Sequence, residues 1–98
     1  MKEVEVYATR DQIETFQGSV LWADMIRELE AWKTGFEMEA DSIVDDAAKE
    51  NPSTASVLLH LGDINGRKKA VDYLMSLPDI FLQILEDKKN AIRREQAD

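Results

Sequence analysis

Residues 20–50 read VLWADMIRELEAWKTGFEMEADSIVDDAAKE, a stretch with no proline and one glycine, Gly35. Trp22, Met25, Leu29, Trp32, Phe36, Ile43 and Ala47 advance by three or four residues, apart from one gap of seven around Glu39 and Ala40. That spacing lays an apolar stripe along one side of a helix, close to a heptad seam. At 1.5 Å per residue, some 30 residues make a rod of about 45 Å. A compact chain of this size has a radius of gyration of only about 13 Å. The rod is long for its domain, and something must cover it.

Asn51-Pro52-Ser53 breaks the pattern, since proline suits a helix start and not its interior. A third helix is expected from about Thr54 to Met75, with Val57, Leu61, Ile64, Lys68, Val71 and Met75 at alternating spacings of four and three. Gly62, Gly66 and Ala70 form a second line, all small and four apart. A glycine inside a helix costs nearly 1 kcal/mol against alanine, so two on one line point to another helix passing close to that backbone. Ser76-Leu77-Pro78 is expected to end the segment, because proline disfavours helical geometry at the residue before it. A last short helix then runs from Asp79 to about Arg94. Its bases Lys88, Lys89, Arg93 and Arg94 suit a helix C-terminus.

Before the long helix, Thr9-Arg-Asp-Gln12 fits a capping box. A short helix from about Arg10 to Gln17 follows, with Gly18 read as the left-handed residue that closes it and Ser19 as the cap of the next. Lys2–Tyr7 alternates Val4 and Val6 with charge, a strand pattern too short to stand alone. The expected fold is therefore all-α: a long antiparallel helical hairpin with a short helix at each end. One domain covers residues 9–95, and residues 1–8 form a flexible N-terminal arm.

Composition narrows the function. The 98 residues carry 20 acids, 12 bases, one histidine and no cysteine, for a net charge of −8. Residues 1–50 hold 13 acids and 5 bases, and residues 51–98 hold 7 of each, so the whole imbalance lies in the first half. Nonspecific DNA binding needs the opposite sign, so nucleic acid is not expected as a partner. The lack of cysteine excludes disulfide scaffolds, thiolate metal sites and thiol catalysis. No apolar run reaches the roughly 20 residues of a membrane helix, and Met1–Asp11 lacks an apolar signal stretch. Cytoplasmic location is the expectation, with no membrane partner.

Three constellations bear on chemistry. Glu37, Asp41 and Asp45 sit four apart, with Asp46 beside them, on one acidic face. Hard divalent cations want such oxygens, but helical magnesium sites pair acids from two helices, and the third helix offers only Asp63 and Asp72. His60 is the lone imidazole, with Asp63 its one neighbour at helical spacing, too little for a nucleophile–base pair. Arg67-Lys68-Lys69 follows Gly62 and Gly66, but the glycine spacing departs from a phosphate-binding loop. These bases are read as pairing with the acidic end of the second helix across the hairpin. No metal, cofactor or catalytic residue is assigned.

The order of features resembles small helical proteins encoded by tailed bacteriophages near portal and terminase genes. The shared elements are F-Q-G-S-V-L-W over Phe16–Trp22, then a long charged helix, then Gly66-Arg-Lys-Lys-Ala-Val, and Leu77-Pro78 before I-F-L-Q-I-L. The resemblance implies an accessory role in virion assembly, or an early phage protein acting on a component of the host cytoplasm. It carries no catalytic residues with it.

The expected function is a non-enzymatic, self-associating protein-interaction module, binding itself and then another protein. Trp22, Met25, Leu29, Trp32 and Phe36, with Gly62, Gly66 and Ala70, are its expected interface. The acidic face Glu37, Asp41, Asp45 and Asp46 sets partner choice. An alternative is an acidic inhibitor of a host nucleic-acid-processing or defence protein. A third reading is a magnesium-dependent all-α nucleotide hydrolase.

Overall fold

Local signals at the start of the chain form the caps their residues dictate. The Gln12 N–H donates to Thr9 Oγ1 at 3.2 Å, and the Thr9 N–H donates to Gln12 Oε1 at 2.9 Å. This reciprocal box opens helix α1, Arg10–Gln17. Ser19 then caps α2, Val20–Glu50, by accepting the Trp22 N–H at 3.1 Å, while its hydroxyl donates to the Phe16 carbonyl at 2.6 Å. The Phe16 and Trp22 rings meet across that corner at 5.2 Å between centroids. Ser53 caps α3, Thr54–Ala97, by accepting the Ser56 N–H at 3.2 Å.

The computed structural model describes residues 4–50 and 53–97. It is all-α, and residues 4–9 carry no regular structure, so the Val-Glu-Val alternation makes no strand among the described residues. Residues 1–3 of the expected arm, and Asn51 and Pro52 of the expected break, lie outside the described residues.

Two details differ from the sequence reading. Gly18 closes α1 at φ −87° and ψ 1°, not in the left-handed region. Its N–H bonds the Glu14 carbonyl at 3.1 Å, and Ser19 begins the next helix at once, so no reversal is needed. Pro78 does not end the third helix: α3 runs through it without a break, and the separate last helix is the C-terminal part of α3. An interior proline leaves the carbonyl four residues back, here that of Leu74, without its N–H donor, at a cost of about 3 kcal/mol. Burial offsets that cost, because Pro78 is buried and Ile80, Phe81, Leu82, Ile84 and Leu85 are half-buried after it.

The chain divides into two compact units, residues 1–24 with 76–98 and residues 25–75. In the first, α1 lies antiparallel along α3. Gln17 Nε2 donates to Asp79 Oδ1 at 2.8 Å, and Arg10 Nη1 reaches Glu86 Oε2 at 3.4 Å. Ile13, between those two anchors in sequence, is the buried residue of α1.

In the second unit, α2 and α3 form the antiparallel hairpin. As α2 advances through Lys33, Phe36 and Glu39, its partners on α3 retreat through Asp72, Arg67 and His60. Leu29, Ile64 and Val71 are its buried apolar residues among those described. Ile64 is 1% exposed, and burying a side chain of that size contributes about 1.5–3 kcal/mol.

Replacing Pro78 with alanine restores the N–H that the Leu74 carbonyl lacks and removes a poor helix former. The variant should unfold at a higher temperature than the parent, by the equivalent of about 1 kcal/mol or more, in a thermal melt followed by circular dichroism. A lower midpoint would mean that the buried ring of Pro78 contributes more than the missing hydrogen bond costs.

Candidate functional site

The seam that closes the hairpin decides which residues remain free to bind anything. On α2 the covered line is Trp22, Ile26, Leu29, Lys33, Phe36, Ala40, Ile43 and Ala47, alternating by four and three, all buried or half-buried. Five of the expected stripe positions lie on it. Met25 and Trp32 do not: both are exposed, at 43% and 49%, on one margin of the seam. Ile26 and Lys33 take their places in the frame, and Ala40 fills the gap of seven. Lys33 hides this frame from a reading by hydrophobicity. Its Nζ reaches Asp72 Oδ1 at 2.6 Å, and that hydrogen bond and charge raise the ammonium pKa above its ordinary value.

On α3 the covered line is Val57, Leu61, Ile64, Lys68, Val71 and Met75, as expected, with Lys68 extending its Nζ to within 3.7 Å of Glu37 Oε1. Long basic side chains can cover apolar surface with their stems while their charge stays at the edge.

Arg67 organises the polar margin of the seam. Its guanidinium lies over the Phe36 ring at 5.0 Å from the centroid, an arrangement in which the cation faces the electron-rich side of the ring. Its Nη1 stands 3.4 Å from Glu39 Oε2 and its Nη2 stands 3.1 Å from Asp63 Oδ2. His60 Nε2 lies 3.4 Å from Glu39 Oε1, so the neighbour expected for the histidine, Asp63, is engaged by Arg67 instead. Arg67 and Lys68 thus pair with acids of α2 across the hairpin, as the charge pattern implied, while Lys69 makes no such pair among the described residues. All these groups are at least partly exposed, and such pairs add little to stability.

The acidic face divides in two. Glu37 is engaged by Lys68, whereas Asp41, Asp45 and Asp46 are exposed and make no ion pair among the described residues. No group of three acidic or histidine side chains among the described residues could hold a metal ion.

Within the single chain the expected close-packing line is open. Gly62, Gly66 and Ala70 are exposed, and a Cβ built on either glycine meets nothing within 4 Å. Among the described residues no helix passes against them, because the seam turns the opposite side of α3 toward α2. What the outer side carries is apolar. Ala55, Leu59, Gly62, Gly66, Ala70 and Tyr73 recur at helical spacing there, with Leu58 and Leu74 at its edges. Leu58, Leu59 and Tyr73 are each at least 60% exposed. The large members of this face were missed in the sequence, although they lie seven or eight residues from Gly66, two helical turns away. Between Leu58 and Leu74, then, α3 is apolar on two opposite sides, and the hairpin uses one.

No family model matches the chain, and neither a curated protein nor a solved structure matches it. Among the described residues no helix is long and apolar enough to cross a membrane.

Open space at both glycines has a direct consequence. Gly62→Ala and Gly66→Ala should each stabilise the single chain by about 1 kcal/mol, the difference in helix propensity. Urea unfolding at low protein concentration checks this. Destabilisation by either substitution would mean that a neighbour already occupies the space.

Proposed function

We propose that this chain is a non-enzymatic helical module that works by binding protein, first another copy of itself and then a larger partner. One observation carries the reading: the outer face of α3 is apolar, centred on small residues, and left open by the hairpin. Solvent-facing positions of a helix are ordinarily polar, and contiguous exposed apolar surface marks interaction sites. The exposed Met25 and Trp32 extend the apolar surface on α2, and tryptophan is over-represented where binding energy concentrates.

Asp41, Asp45 and Asp46, which make no ion pair among the described residues, support the choice of the larger partner. Exposed charge of one sign steers encounter and rejects like-charged surfaces more than it adds affinity. The partner is therefore a protein with a basic patch. With the bacteriophage resemblance, the module acts in the host cytoplasm as an accessory of virion assembly. The same acids favour a second reading, an acidic inhibitor of a host nucleic-acid-processing protein. Those two readings differ in whether the apolar face or the acidic face supplies the affinity.

Absolute mass from light scattering on a sizing column, at low and high salt, separates them. The apolar reading predicts a discrete oligomer that survives high salt. It also predicts that Gly66→Leu keeps the helical circular dichroism spectrum of the parent yet shifts to the mass of one chain. A parent that is monomeric at every concentration overturns self-association and directs attention to the acidic face.

A further inference from the structure

Self-association through the outer face of α3 requires a patch that fits itself, since in a two-fold dimer each residue meets the counterpart that meets it in return. The pattern on this face is symmetric in side-chain size about Gly66. Gly62 and Ala70 lie four residues to either side, Leu59 and Tyr73 seven, and Leu58 and Leu74 eight. We infer that the partner at this face is a second copy of the chain, its α3 lying antiparallel to the first with the two-fold axis at Gly66. This inference rests on the self-association proposed above and specifies how it is built.

Antiparallel pairing sets Gly62 level with Ala70 of the second copy and Leu59 level with its Tyr73. Small residues then face small residues at the centre, where nothing holds the two backbones apart. Larger apolar groups close both ends. The distance between packed helices is set by the side chains at their contact, so this centre allows an approach at the short end of the usual range of about 8–10 Å.

The area is adequate as well. From their exposures, Leu58, Leu59, Tyr73 and Leu74 together present roughly 500 Å² per chain, within the size of patches that mark interaction sites. Two such faces amount to about 1,000 Å², where specific interfaces begin.

Because the chain has no cysteine, single introduced cysteines report the pairing without interference. A disulfide needs Cα atoms about 4.4–6.8 Å apart. Under mild oxidation Gly66→Cys should link two copies, and Leu59→Cys should link to Tyr73→Cys when the two variants are mixed. Leu59→Cys alone should link at least about tenfold more slowly, because its two copies stand some 14 residues apart along the pair, roughly 20 Å. Rapid linking of Leu59→Cys to itself would overturn the antiparallel arrangement. A parent that forms dimers while neither Gly66→Cys nor the mixed pair links would overturn this face as the dimer surface and leave self-association standing. A parent of single-chain mass would remove the self-association on which the inference rests.

Discussion

The seam between α2 and α3, closed on Leu29, Ile64 and Val71, is the constraint on which the rest of the hairpin depends. A helix has one circumference to divide between core and solvent. Once Val57, Leu61, Ile64, Lys68, Val71 and Met75 are turned toward α2, the line through Gly62, Gly66 and Ala70 must face away. An ordinary two-helix hairpin would clothe that line in charge. Here it carries leucine, tyrosine, glycine and alanine, and the glycines weaken the very helix that presents them. Glycines that cost local stability and face open space among the described residues call for an explanation outside the chain. A second chain supplies one.

Electrostatics divide along similar lines. Lys33, Arg67 and Lys68 spend their charge on Asp72, Glu39, Asp63 and Glu37 at the margins of the seam. The exposed pairs help fix the register of the two helices more than they stabilise it. Asp41, Asp45 and Asp46 are left over from this matching and give the end of α2 a net negative surface. The open apolar face of α3 and these acids of α2 lie on different helices of the hairpin. One is suited to holding a neighbour and the other to selecting one.

Much of this was legible in the sequence because the signals were local or periodic. The Thr9–Gln12 box and the Ser19 cap depend on residues three apart, and the structure contains both. The α3 seam was legible through its alternating spacing, even with Lys68 inside it. Three features were not legible, two of them because tertiary contact overrode a local rule. Pro78 reads as a stop, but burial and the anchoring of α1 at Asp79 and Glu86 carry the helix through. Gly18 reads as a left-handed terminus, but an immediately following cap makes the reversal unnecessary. Met25 and Trp32 read as members of the apolar stripe by their spacing, while Lys33 holds the heptad position of the seam and bonds Asp72. The glycine line was read correctly as unusual. Its direction could not be read, because periodicity places residues on a common face without saying which face the partner helix takes.

Association and folding are coupled on this account: the outer face of α3 leaves water only when a second copy covers it. The dependence of the melting midpoint on protein concentration tests that coupling most directly, since anything that binds the native state alone raises its stability by mass action. The midpoint should climb steadily as concentration is raised over about two orders of magnitude. A midpoint that stays constant across that range would mean the open face meets no second copy, and would contradict the account at its centre.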